Sequence, residues 1–226
     1  MKLYRNNKSA DKPREIYKDE YLDDLSNFKT KKSRRKALAA FEKAWETRNF
    51  EIDLYWRRTN YFWALQIPIF AAYFALLSSD KLDDYKVILF LISCIGIIVS
   101  LAWKLINVGS KNWQRHWENH IDHLEDRVTG PLYKTISKTR TYSVSKINEL
   151  VSLFFLLVWI LLSIFYLWSN NLKNISTDSD FAFEEFFIVL ITLFIVWQMI
   201  FEHGLGLFQN REVQFYRRKS KIKRLS

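Results

Sequence analysis

Apolar and polar residues are sharply segregated along this chain. Four stretches, at roughly 61–78, 87–103, 150–168 and 186–201, are almost continuously apolar, and polar segments separate them. Each stretch approaches the about 20 residues that an α-helix needs to cross about 30 Å of hydrocarbon. A helix that is apolar all round suits a lipid surrounding better than water. The pattern predicts an all-α integral membrane protein with four transmembrane helices.

Outside these stretches the period changes. Leu38, Phe41, Trp45, Ile52 and Tyr55 recur at spacings of three, four and seven, an apolar stripe on a charged helix. No glycine or proline divides that stripe from the first span, so one helix is expected to run from a polar extension, about 34–60, into the membrane. Pro68 falls inside the span and is a candidate kink. After the second span, Trp103, Ile106, Ser110, Trp113, Trp117, His120 and Leu124 alternate by threes and fours. They predict a second extension over about 104–129, stopped by Gly130-Pro131. Residues Leu132–Ser145 read as a connector. Past the fourth span, Leu205, Phe208, Glu212 and Phe215 predict a third extension, about 202–222, leading into the basic tail Arg217–Arg224. Met1–Lys29 is polar and mixed in sign, with a short helix expected near Glu15–Phe28. The expected organisation is a polar, partly disordered segment, 1–33, and one four-span membrane unit, 34–226. Striped helices need partners, so the extensions should pack on one another or on neighbouring subunits.

Charge orients this arrangement. Of the 34 Lys and Arg residues, 31 lie in segments 1–60, 104–147 and 202–226. Four spans put these three segments on the same side. The remaining loops carry Lys81, Lys86 and Lys173 beside Asp80, Asp83, Asp84, Asp178, Asp180, Glu184 and Glu185. Basic residues stay in the cytoplasm, which places both termini and the extensions there. Trp56, Arg57, Arg58 and Tyr61 sit where aromatic belts and snorkelling cations belong, and are expected membrane-interface anchors. The net charge of +10 follows from this topology and from attraction to anionic lipid heads. The basic run Lys31, Lys32, Arg34, Arg35 and Lys36 has no aromatic platform or motif for nucleic acid. The expected partners are the lipid bilayer, further copies of the chain and an unidentified cytoplasmic protein, not nucleic acid. Trp45, Trp103, Trp113 and Trp117 are expected packing anchors between helices or subunits.

Catalytic patterns are sparse. None of the 5 glycines belongs to a GxxxxGK or GxGxxG loop, and there is no GxSxG, HExxH or CxxC. The single Cys94 reads as a small apolar packing residue. Gln66 and Gln198 lie inside spans, where they would bond between helices or line a water path. His116, His120 and His123, spaced four and three, share one helix face. They would hold a transition metal, sense pH, or make interhelical hydrogen bonds beside Trp113 and Trp117, which is the simplest reading. No cofactor is expected, and the chain reads as non-enzymatic.

Several passages carry a resemblance. They are Phe50-Glu51-Ile52-Asp53-Leu54-Tyr55-Trp56-Arg57-Arg58 with Tyr61-Phe62-Trp63, then Gly109-Ser110-Lys111-Asn112-Trp113-Gln114. Trp117-Glu118-Asn119-His120-Ile121, Leu124-Glu125 and Gly130-Pro131-Leu132-Tyr133-Lys134-Thr135 follow. Together they resemble the RipA family of small bacterial cytoplasmic-membrane proteins. The resemblance implies a homo-octamer in a bacterial inner membrane, tied to adaptation to stress or a host environment. It implies no catalytic residues.

Three functions compete at this point. The first is a non-enzymatic, ring-forming scaffold or gated pore, suggested by the spans and striped extensions. The second is a membrane-permeabilising effector of a bacterial defence system, which a neighbouring nucleotide sensor would favour. The third is a metal- or pH-responsive small transporter built around His116, His120 and His123, weakened by the sparse polar lining of the spans.

Overall fold

The computed structural model describes residues 30–80, 85–135, 142–169 and 183–202. They form α1 (Lys31–Leu77), α2 (Lys86–Val128), α3 (Val144–Leu167) and α4 (Phe183–Trp197). A π-helical turn, Gln198–Glu202, continues α4. No strand occurs among the described residues, and all four helices are long and apolar enough to cross a membrane. The expected N-terminal segment with its helix near Glu15–Phe28, the loop residues 170–182 and the extension after Glu202 lie outside the described residues.

Helix α1 begins with a reciprocal cap. Thr30 Oγ1 accepts from the Ser33 amide at 3.2 Å, and the Thr30 amide donates to Ser33 Oγ at 3.3 Å. Two amides that the first turn leaves without helical partners are thereby satisfied. The helix then runs for 47 residues and passes through Pro68. At 1.5 Å per residue that is about 70 Å, more than twice the hydrocarbon thickness. Its polar first half must therefore stand outside the bilayer.

Helix α2 is the centre of the fold and packs against α1, α3 and α4. Ser93, Ser100, Asn107, Gln114 and Ile121 are buried at seven-residue intervals, and Leu89, Gly96, Trp103, Ser110 and Leu124 form the companion row. This three-four alternation keeps one face of a helix against its neighbours over its whole length. The sequence stripe shares Trp103, Ser110 and Leu124 with this face and departs from it at Ile106. Ile106 is exposed and Trp113 is half-buried, whereas Asn107 and Gln114, one residue further on, are buried. On α1, Leu38 is likewise exposed, while its neighbour Ala37 is buried with Phe41, Ala44 and Tyr55. Small and polar side chains occupy the seam because they let the helices approach and bond across it.

Three apolar clusters hold the assembly. In the polar extensions, Phe41 and Ala44 pack on Ile121 and Leu124, flanked by Trp45, Trp117, Val128 and Tyr133. Within the spans, Tyr73, Leu89 and Trp159 join α1, α2 and α3. Phe90, Cys94 and Tyr166 receive Ile188 and Val189 of α4. Gly96 makes the close contact of the second cluster possible, since a Cβ there would lie inside the Trp159 ring.

The end of α2 is built with equal care. Gly130 adopts φ of 75°, a conformation that side chains disfavour, and its amide donates to the Glu125 carbonyl at 2.9 Å. The Glu125 carboxylate is fully buried. It accepts from the amides of Tyr133 at 2.6 Å and Lys134 at 3.1 Å. Lys134 Nζ lies 3.6 Å from the same carboxylate and 2.6 Å from Asp126; its pairing with Asp126 raises the Lys134 pKa above the usual lysine value. The turn carries Tyr133 back onto Trp45, with ring centroids 4.8 Å apart.

Candidate functional site

Polar chemistry gathers in two places, a buried ladder between α1, α2 and α3, and an imidazole pair on the extension of α2. The ladder begins deep in the spans. Ser93 Oγ and Ser163 Oγ are 2.8 Å apart. Gln66, only 1 % exposed, donates from Nε2 to Ser100 Oγ at 2.8 Å and accepts from Trp159 Nε1 at 2.9 Å. One glutamine thus ties α1 to both α2 and α3. An amide in hydrocarbon has no water to turn to, so these partners decide its placement. Gln198 was expected to bond between helices or to line a water path. Its Oε1 is buried and finds no hydrogen-bond partner among the described residues.

Nearer the polar extensions the ladder widens. Asn148 of α3 donates to Tyr55 Oη at 2.7 Å and to Thr59 Oγ1 at 3.0 Å, both on α1. Tyr55 Oη lies 3.5 Å from the Ser145 carbonyl. Thr59 Oγ1 is 3.5 Å from Asn107 Oδ1, and Asn107 Nδ2 is buried without a partner among the described residues. Arg58 donates to Ser110 Oγ at 2.8 Å. The Gln114 amide reaches the Glu51 carbonyl at 3.5 Å. Trp56, Arg57 and Tyr61 are exposed on α1, whereas Arg58 is half-buried and turned toward α2.

The four tryptophans singled out from sequence occupy unlike surroundings. Trp103 is fully buried, edge-on to Trp63 at 5.4 Å and close to Phe155 at 5.8 Å. Trp45 is half-buried on Tyr133, with the Arg48 guanidinium 5.4 Å from its ring centroid. Trp113 and Trp117 are half-buried beside the histidines.

Those histidines do not act as a trio. His116 Nε2 and His120 Nε2 are 3.2 Å apart. His123 turns away, with Nδ1 2.6 Å from the Asn119 carbonyl. Burial pushes the His120 imidazole below its usual pKa, and His116 and His123 push it the same way. Among the described residues no group of three His, Cys, Asp or Glu side chains is arranged around a common point.

Sequence reasoning passed over Gly96, Asn107, Glu125, Asn148 and Trp159. Asn107 had a signal, since it falls in the row Ser93, Ser100, Asn107, Gln114. The others are defined by contacts across helices and had none.

No curated protein and no solved structure matches the chain. A family model described as the octameric membrane protein family matches residues 38–168. That range takes in α1 from Leu38 onward, all of α2 and α3, the buried ladder and the imidazole pair. With more than half of its length matched and four helices suited to a bilayer, the chain belongs to the octameric membrane protein family.

Proposed function

We propose that the protein is a non-enzymatic, ring-forming homo-octameric scaffold of the bacterial inner membrane, with both termini and the extensions of α1 and α2 in the cytoplasm. The observation that carries this reading is the division of labour among the helices. Within one protomer the span polar groups Gln66, Ser100, Ser93 and Ser163 are turned inward and bonded to each other or to Trp159. The outward surfaces of α3 and α4 are apolar, with Phe154, Phe165, Phe187 and Phe194 more than half exposed. Such surfaces suit lipid or a neighbouring copy. The family description supports eight copies, and the charge pattern supports the cytoplasmic side. Trp56, Arg57, Arg58 and Tyr61 would set the depth of α1, and Trp113 and Trp117 would serve contacts made through the extensions.

A gated pore is the second reading. Among the described residues the span polar groups Gln66, Ser93, Ser100 and Ser163 of a protomer are taken up in bonds to one another or to Trp159, so a pore would run along the axis of the ring. Gln198 favours it, since its buried Oε1 lacks a bond among the described residues and would find one at a subunit contact or in water. Adaptation to a host environment follows only from the resemblance to the RipA family and remains part of this proposal. Imaging of the purified protein in nanodiscs tests both readings. Eight copies around a lipid-filled or closed axis support the scaffold, eight around a water-wide axis support the pore, and a monomer refutes both.

A further inference from the structure

His116 and His120 stand one helical turn apart on α2, and their Nε2 atoms converge to 3.2 Å. Their rings are nearly perpendicular, at 85°, with centroids 4.6 Å apart. Two imidazoles normally take this pose for one of two reasons. Either one Nε2–H donates to the other Nε2, or both nitrogens face a shared cation. We infer that His116 and His120 form a two-imidazole clamp for a divalent transition-metal ion, with water filling the remaining coordination positions.

The distances suit that ion. Metal–nitrogen bonds of about 2.0–2.1 Å to both atoms, across this separation, give a nitrogen–metal–nitrogen angle of about 100°. That value lies between the right angle of a tetragonal site and the tetrahedral angle, so Cu2+ and Zn2+ are both accommodated. Imidazole must be neutral to bind a metal, and a hydrogen bond between the two Nε2 atoms at 3.2 Å needs at least one neutral ring. No net charge has to be created on the protein. The proton shared at Nε2 is exchanged through solvent for one at Nδ1 of the same ring, which frees both Nε2 lone pairs.

The surroundings hold the rings in place. Trp113 and Trp117 meet His116 edge-on at 5.6 and 5.4 Å, and Trp117 also lies 5.3 Å from His120. An i, i+4 pair on an intact helix has its backbone already fixed, so little is lost in ordering it. His123 is held by the Asn119 carbonyl at 2.6 Å and takes no part. With only two protein ligands the affinity is modest, and Cu2+ binds more tightly than the other divalent first-row ions.

The test uses the full chain in detergent or nanodiscs, free of any polyhistidine tag, titrated with CuCl2. Quenching of tryptophan fluorescence reports affinity, and electron paramagnetic resonance counts coordinated nitrogens. Saturable binding with two imidazole nitrogens is expected. His116→Ala and His120→Ala should each lower the affinity at least tenfold, and His123→Ala should change it less than twofold. Equal binding by wild type and the His116→Ala/His120→Ala double variant overturns the clamp. A wild-type spectrum with fewer than two nitrogens overturns it too, whatever the variants do. None of these outcomes depends on the number of subunits, so the clamp and the ring stand or fall separately.

Discussion

Gln66 should be the most sensitive polar residue of the spans. It is 1 % exposed and bonds Ser100 Oγ at 2.8 Å and Trp159 Nε1 at 2.9 Å. Gln66→Leu keeps most of the volume and removes both bonds. A bond between membrane helices contributes about 0.6 kcal/mol on average and about 1.7 at most, because chains still inserted but unpacked find other partners. Each group left buried without a partner, the Trp159 N–H and the Ser100 hydroxyl, costs about 1–3 kcal/mol in a water-soluble protein, and the other partners open to an inserted but unpacked chain cut that sum by about half or more. The expected loss for Gln66→Leu is therefore about 1–3 kcal/mol. Trp159→Phe removes the indole donor, and the double variant closes a thermodynamic cycle that isolates the bond from changes in packing. Reversible unfolding in mixed micelles, followed for all four proteins, should give a coupling of about 0.6–1.7 kcal/mol. A coupling within error of zero, or a Gln66→Leu protein more stable than wild type, would refute the reasoning.

Three further outcomes are expected. Gly96→Ala should destabilise the bundle by about 1–3 kcal/mol despite the better helix propensity of alanine, since its Cβ meets the Trp159 ring; the same unfolding assay should show partial rescue by Trp159→Leu. Glu125→Ala should free the amides of Tyr133 and Lys134 and cost about 1–3 kcal/mol, so hydrogen exchange at those two amides should accelerate at least about tenfold, while Glu125→Gln has a smaller effect. Asn148→Ala removes the bonds to Tyr55 and Thr59 and should lower stability by about 1–3 kcal/mol in thermal unfolding; an unchanged midpoint would show that the layer between α1 and α3 is held by packing alone.

The four spans were legible because hydrocarbon selects composition over long runs, and a run of about 20 apolar residues has few other uses in a chain of this size. The end of α2 was legible in Gly130-Pro131 for a local reason, as glycine alone takes the φ of 75° easily. The phase of the seam was legible in part, at Phe41, Tyr55, Trp103, Ser110 and Leu124 but not at Leu38 and Ile106. Large apolar residues such as Ile106 and Trp113 weigh heavily in a stripe drawn by hydrophobicity, yet Asn107 and Gln114 beside them are the buried ones. These residues stand on the extension of α2, and they face α1 because Asn107, Ser110 and Gln114 meet Thr59, Arg58 and the Glu51 carbonyl there, contacts that a hydrophobicity pattern does not register. The histidine face shows a second limit. Spacing put three imidazoles on one side of the helix, but only rotamers decided that His116 and His120 meet while His123 bonds its own backbone. Glu125 could not be read as a buried group from sequence, because its partners are amides of a turn eight and nine residues later.

The unbroken course of α1 has a mechanical consequence. No loop separates Lys31 from Leu77, and the first half of the helix is clasped to α2 by Phe41, Ala44, Ile121 and Leu124. The two helices therefore form a stiff lever pivoting where the apolar stretch of α1 begins, with an arm of about 45 Å for some 30 residues at 1.5 Å each. A tilt of about 10° at the pivot sweeps the tip through about 8 Å on that arm. Within the apolar half of the same helix, Pro68 is where such a tilt would be taken up, since proline leaves one backbone bond of the helix unmade.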